Sequence, residues 1–357
     1  MKLFRFLIFS IFIFIGFSTS AQFKFSGQGT VQGYYTSGEE LPFWMYNNVR
    51  ARVSEDSRLT GWISAMALEN LSPNLTLEFG GGILFRDGKK DNIFIDEAYM
   101  HLETPHFYLT GGIKQQEVLY NGLSASNESM LWSLNARPMP GIQIGTRGTY
   151  FLDPYEDLGL GIEASWNEYL LEKDRYMSYA KVHYKKFFFV YQTYNDLKIK
   201  AGLRHYAQWG GTNPGGETRN ETLDDYFKII SGMGSGISSY MGSYEFHVGK
   251  KFRQFEVEFF YNHIFESFAG AKFANAPDGC YGIFIKTRDQ DRVINSFIYE
   301  LYLTQNQNFP EKGIFQNENY FNDDTYKSGW TYNNRALGAP FFTTSIDNLG
   351  ITNNRFT

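Results

Sequence analysis

Apolar and polar residues alternate with period two along most of this chain, the pattern of strands with two unlike faces. In residues 255–263, Phe255, Val257, Phe259 and Tyr261 share one face, and Glu256, Glu258 and Asn262 share the other. Residues 75–86 set Leu75, Leu77, Phe79, Ile83 and Phe85 against Thr76, Glu78 and Arg86. Residues 160–167 set Leu160, Ile162, Ala164 and Trp166 against Glu163, Ser165 and Asn167. In 244–251, Tyr244, Phe246 and Val248 oppose Glu245, His247 and Lys251. Similar segments at 24–35, 59–68, 93–103, 106–115, 140–151, 175–185, 197–207, 279–287 and 292–304 bring the candidates to 13, mostly 8–13 residues long. A tilted transmembrane strand needs about 9–11 residues, whereas soluble strands average about 5–6. The lengths therefore favour an all-β transmembrane barrel over a soluble β-sandwich.

One stretch breaks the period. In "NETLDDYFKII" (220–230), Leu223, Phe227 and Ile230 recur at helical spacing, and Asn220 stands where an N-cap would. The spacing predicts a short amphipathic helix near 220–230, serving as a plug or periplasmic element rather than wall. No repeat of 20–50 residues is visible, so a propeller or solenoid is disfavoured.

The N-terminus sets the compartment. Lys2 and Arg5 precede an apolar run from Phe6 to Phe17, and Thr19 and Ala21 stand at −3 and −1 of a cut before Gln22. Residues 1–21 thus read as a secretory signal peptide, leaving 22–357 as one domain. Without Lys2 and Arg5, the total of 33 Lys+Arg falls to 31 against 38 Asp+Glu, a net of −7. An acidic balance argues against nucleic acid as a partner. The single cysteine, Cys280, excludes a disulfide framework and any multi-cysteine metal site. Aromatics make up 18% of the chain and charged residues only 20%, which suits aromatic girdles and a lipid-facing band.

Several stretches carry a resemblance: "LPFWMYNN" (41–48), "SLNARPMPGIQI" (133–144), "HYAQWGG" (205–211), "YNHIFESFAG" (261–270), "PDGCYGIF" (277–284) and "RVINSFIYELYLTQNQ" (292–307). To these belongs "NYFNDDTYKSGWTYNNRALGAPF" (319–341), with Tyr320, Phe321, Tyr326, Trp330 and Tyr332 among polar residues. In this order the set resembles the Wzi-type capsule assembly family of Gram-negative outer membranes, in its Bacteroidetes form. The resemblance implies an antiparallel outer-membrane β-barrel of eighteen strands, inserted by the barrel assembly machinery, with helical elements towards the periplasm. It further implies a lectin-like, non-catalytic protein that attaches or organises capsular polysaccharide, with outer-membrane lipid as its other partner. Thirteen strand candidates fall short of eighteen, and "NNRFT" (353–357) reads as the start of a further strand. The expectation is a C-terminally truncated barrel.

No cofactor and no metal are expected. None of the six histidines forms an H-x-x-x-H or H-x-H pair, and His183 and His247 fall on polar strand faces that read as lumen. A hydrolase would need His263 beside a serine, but Ser267 lies about 13 Å away along an extended strand. Glu256 and Glu258 could approach roughly 7 Å, within glycosidase range, yet a lumen lined by solvated acids explains them as well. For sugar binding, His205, Gln208 and Trp209 sit beside the flexible "GGTNPGG" (210–216), and Trp330, Tyr332 and Arg335 supply rings and donors in 319–341. Those six are the candidate polysaccharide-binding residues. A strand-end girdle accounts for the first group equally, and rings pinning a loop to the barrel rim account for the second. A porin-like channel for small solutes is the alternative function, and an outer-membrane hydrolase the third.

Overall fold

The computed structural model describes residues 23–357 apart from 89–91, 154–156, 220–221, 233–235, 237, 290–291, 309–316, 346 and 348. The signal peptide reading therefore lies outside the described residues. Thirteen strands hydrogen-bond in chain order as one antiparallel meander. They are β1 (Lys24–Gly33), β2 (Leu59–Ser72), β3 (Leu75–Arg86), β4 (Ile93–Glu103), β5 (Phe107–Ile113), β6 (Gly141–Thr146) and β8 (Gly159–Leu170). The meander continues through β9 (Lys181–Gln192), β10 (Leu197–Trp209), β11 (Ser238–Lys251), β12 (Phe255–Phe265), β13 (Gly279–Thr287) and β14 (Ser296–Leu303). The two-residue β7 (Tyr150–Phe151) attaches to β8 off this path. Among the described residues, β1 and β14 do not pair with each other.

All 13 sequence segments contain or overlap a wall strand, and one is displaced. The strand expected at 175–185 runs instead from Lys181 to Gln192. Its apolar core, "FFFV" (187–190), is continuous rather than alternating, which hides the period. Residues 171–180 turn back as a loop, closed where Leu171 donates its N–H to the Ala180 carbonyl at 2.9 Å.

The period-two pattern sorts the sheet into two faces. Phe25, Ile63, Ile83, Ile95, Ile144, Phe187, Phe189, Phe259, Phe297 and Tyr299 are exposed on the convex face. The alternate positions, among them Tyr169, Tyr184, Tyr206, Phe260 and Tyr302, are buried on the concave face. An outer apolar band with the core inside is the arrangement of a wall standing in lipid. The register also separates two ends. At one end lie the short turns 73–74, 104–106, 193–196 and 252–254. At the other lie the long connections 34–58, 114–140, 210–237 and 266–278.

Among the described residues, two α-helices lie outside the sheet. A one-turn α1 (Phe43–Tyr46) sits in the first long connection. The second, α2 (Leu223–Ile230), falls where a helix was expected, but Ile229 packs on Ala207 and Trp209 of the convex face of β10, so it is not a plug. Its cap is Thr222 rather than Asn220: the Thr222 hydroxyl accepts the Asp225 N–H at 3.1 Å, and the Asp225 carboxylate accepts the Thr222 N–H in return. Thr222 can form this capping box because it has an acidic residue three positions on.

The final residues do not begin another wall strand. After β14 the chain folds inward, forming the small hairpin β15 (Thr331–Tyr332) and β16 (Arg335–Ala336), and then β17 (Thr343–Thr344) and β18 (Ile351–Asn353). Phe356 returns to the end of β14, its carbonyl accepting the Thr304 N–H at 3.1 Å, and its ring packs on Phe342 at 4.9 Å.

Candidate functional site

The concave side of the sheet is filled by chain rather than by solvent. Two segments, 115–140 and 317–357, interlock there as a plug. The Ala339 N–H donates to the Met130 carbonyl at 3.0 Å, the Ser133 N–H to the Leu337 carbonyl at 2.9 Å, and the Asn135 amide to the Ala336 carbonyl at 3.1 Å. The 41–50 segment joins them, with the Leu134 N–H donating to Asn48 Oδ1 and the Arg50 N–H to the Leu134 carbonyl. Close packing requires glycine at 338. A Cβ there would stand 2.3 Å from the Phe321 ring and 2.6 Å from the Met130 carbonyl oxygen, distances no side chain tolerates.

The plug is latched to the wall by buried carboxylates. Glu128, from the first plug segment, takes ion pairs from Lys200 and, at 2.5 Å, from Arg204 on β10. The same arginine reaches Glu245 on β11 at 2.9 Å and the Tyr184 hydroxyl at 3.0 Å. Glu300 on β14 accepts from Ser124, the Ala125 N–H and Ser126. In the second segment, Glu318 accepts the Ser267 hydroxyl at 2.6 Å, and Glu266 accepts the Asn319 and Phe321 N–H groups at 3.0 and 2.6 Å. Burial, reinforced by Glu318 nearby, pushes the Glu266 carboxyl well above the usual carboxylate range.

Two spaces flank the plug. Towards the short turns, a vestibule of about 730 Å³ is lined by charges of both signs, including Glu103, Glu163, Lys186, Lys198, Lys200, Glu256, Glu258 and Lys286. His247 faces it and bonds Glu258 at 3.0 Å. Towards the long connections, a groove of about 420 Å³ is lined by Tyr176, Asn213, Glu217, Arg219, Asp324 and Lys327. It adjoins a second hollow of about 400 Å³ that shares Tyr176 and adds Lys173, Asp174 and Asp347. The Lys327 ammonium lies 4.9 Å over the Tyr176 ring. The groove floor is rigid: the Tyr176 N–H donates to Ser328 Oγ at 2.9 Å, and Arg175 donates to the carbonyls of Gly329 and Thr331 at 3.0 and 2.9 Å.

The six sugar-binding candidates do not meet at one place. His205 and Trp209 point out through the convex face of β10, where α2 covers them. Gln208, one register position away, is buried on the concave face with its side-chain amide unpartnered. Trp330 and Tyr332 are buried in the plug core, so 319–341 is neither a free loop nor a rim strap. Arg335 is half-buried, donating to Asn47 Oδ1 at 2.9 Å and lying 5.1 Å over the Tyr46 ring. Of the groove residues, Asn213 lies in "GGTNPGG" and Asp324 and Lys327 lie in 319–341, but no spacing marks them as neighbours, because Tyr176, Asn213 and Lys327 come from three separate connections. His183 is likewise displaced from its expected place in the lumen. It lies on the convex face, bonded to Glu168 at 2.6 Å and fully buried where the Trp166 and Tyr226 rings pack against it.

Hydrolytic geometry is not assembled at His263. Its Nε2 donates to the Gly270 carbonyl at 3.0 Å, and Ser267 is committed to Glu318. Among the described residues, no group of three His, Cys, Asp or Glu side chains is placed to hold a metal ion.

No family model and no curated protein sequence matches this chain. Solved structures do. Wzi, an outer-membrane protein involved in group 1 capsule assembly in Escherichia coli and described as a carbohydrate-binding β-barrel, superposes with a TM-score of 0.55 at 13% identity. The match covers 91% of this chain and 65% of Wzi. The fold is that of an outer-membrane β-barrel. Weaker matches include OmpF of Salmonella typhi, at TM-score 0.32 and 9% identity over 75% of this chain and 85% of that one. The outer-membrane protein OmpT of Vibrio cholerae matches at TM-score 0.34 and 8% identity, over 79% and 88%. The barrel spans about two-thirds of the length of Wzi, with its lumen occupied by its own 115–140 and 317–357 segments.

Proposed function

We propose that this chain is a non-catalytic outer-membrane surface protein of the Wzi type that holds capsular polysaccharide at the cell. The observation that carries this reading is the plug. A lumen filled and latched by Glu128, Glu300 and Glu318 makes the barrel a platform rather than a pore. Transmembrane barrels keep short turns in the periplasm and longer loops outside, which puts the Tyr176 groove on the cell exterior. There the Tyr176 ring offers a stacking face, Asn213, Glu217 and Asp324 offer hydrogen bonds to hydroxyls, and Lys173, Arg219 and Lys327 offer donors to a glycan. The carbohydrate-binding Wzi barrel is similar in fold, which lends further support. Export through a cleaved segment 1–21 and insertion by the barrel assembly machinery belong to the same reading.

The test is a binding titration of labelled capsular polysaccharide against the reconstituted barrel. Tyr176→Ala combined with Lys327→Ala should weaken binding about tenfold, the sum of a lost stacking face and a lost charge. Unchanged affinity would contradict the groove as the site. A conducting, porin-like lumen is the second reading, favoured by the charged vestibule of about 730 Å³. Steady conductance of the unaltered chain in planar bilayers would support it and count against a sealed platform.

A further inference from the structure

The helix α2 lies on the outside of the wall, against the lipid-facing side of β8, β9 and β10. Ile229 packs with Ala207 and Trp209 of β10, and the Tyr226 ring stands 5.4 Å from that of Trp209. Both wall residues occupy convex positions, on the same face as Leu203 and its exposed partner Phe187. The helix also covers a polar patch that would otherwise face hydrocarbon. Tyr226 donates to Glu168 at 2.6 Å, Glu168 holds His183, and Lys185 donates to the Ile230 carbonyl at the helix C-terminus. Polar side chains on a lipid-facing wall are costly unless paired or near the interface.

Packing on the wall uses only part of the helix's apolar surface. At 100° per residue, Ile229, Tyr226, Ile230, Leu223 and Phe227 span one continuous arc, and Asp224, Asp225 and Lys228 occupy the other. Ile229 and Tyr226 form the edge turned to the barrel. Leu223 and Phe227 form the opposite edge and remain 78% and 63% exposed. That exposed edge is continuous with the apolar band of the wall. A helix with one apolar edge on a barrel, another free beside lipid and a charged face away from both fits the boundary between acyl chains and headgroups.

We infer that α2 is a membrane-interface helix: Leu223 and Phe227 insert into the bilayer surface at the long-loop rim, while Asp224, Asp225 and Lys228 stay in water. The occupant of its free face is lipid. The inference rests on the barrel standing in a membrane and is independent of the polysaccharide reading.

The experiment places nitroxide labels at Leu223→Cys, Asp224→Cys, Phe227→Cys and Lys228→Cys, with Phe187→Cys as a mid-wall reference. The chain is reconstituted in phosphatidylethanolamine–phosphatidylglycerol vesicles, and the unsubstituted chain controls for Cys280, which is fully buried. Collision with oxygen and with a water-soluble nickel chelate is then measured. The expected result is loss of nickel access and gain of oxygen access at 223 and 227, relative to 224 and 228. Equal nickel access at all four positions, with Phe187→Cys still shielded, would overturn the inference while leaving the membrane barrel intact. Exclusion of both reagents at 223 and 227 would mean that protein covers this face, and would overturn it too. Nickel reaching Phe187→Cys would overturn the membrane placement and this inference together.

Discussion

Buried carboxylates and one crowded glycine decide whether the interior segments stay in place. Glu266, one residue beyond β12, accepts two backbone N–H groups of the second plug segment while sharing its surroundings with Glu318. Burial and then that neighbour raise its pKa well above the ordinary value, so the folded chain binds the proton more tightly than the unfolded one. Stability from this group is full below the unfolded carboxyl range, near pH 4.3, and falls as pH rises from there towards the raised folded value. Glu266→Gln should therefore flatten a decline in the urea midpoint between about pH 4 and pH 8; an identical slope in both proteins would contradict this. At 338, the missing Cβ leaves room for the Phe321 ring and the Met130 carbonyl. Gly338→Ala should cost about 1–3 kcal/mol of plug packing, read as faster proteolysis within 115–140 and 317–357 in the folded barrel. Little of this was legible beforehand. The aromatics of 319–341 were conspicuous as residues, but period and composition could not say that Tyr320, Tyr326 and Trp330 would be turned inward. Their neighbours in space are distant in sequence: Tyr320 bonds Asn275 and Asp278, and Tyr326 bonds the Gly210 carbonyl.

Elements show the opposite balance between what sequence declares and what it conceals. The 13 wall strands were readable because a half-lipid, half-interior strand must alternate, but their bounds were less so: β9 was blurred by its continuous "FFFV", β11 begins six residues before 244, and β6 ends at Thr146. The helix at 223–230 was readable from its 3.6-residue spacing, yet not its side of the wall, because Leu223 and Phe227 face away from the barrel that Ile229 and Tyr226 pack against. The plug was legible only as unconnected pieces: "LPFWMYNN", "SLNARPMP" and the run to "LGAPF" converge in the structure on one buried unit. Its latch to the wall centres on Arg204, shared between Glu128 and Glu245. Arg204→Ala would take the buried guanidinium from Glu245 and leave Glu128 with Lys200 alone, a loss of about 3–5 kcal/mol. The plug should then loosen before the wall unfolds. Ion conductance in planar bilayers, near zero for the unaltered chain, should appear in this variant with wall strands unchanged by circular dichroism. A variant as tightly sealed as the parent would contradict the latch.

At the scale of the molecule, an antiparallel wall with its apolar face outward and a filled interior leaves two places for chemistry. One is the vestibule by the short turns, and the other is the Tyr176 groove by the long connections. The proposed reading rests on the filled interior and on the ring and the charges of both signs that line the groove. Fold class was legible because lipid imposes one rule on every strand at once. Function was less so, because a binding groove assembled from loop residues obeys no period. The measurement that tests the central claim most directly is polysaccharide retention on capsulated cells that carry this gene. Deletion should move polysaccharide from the cell-attached fraction to the medium, and the intact gene should restore attachment where the Tyr176→Ala, Lys327→Ala form does not. Cell-attached polysaccharide that stays unchanged after deletion would contradict the account.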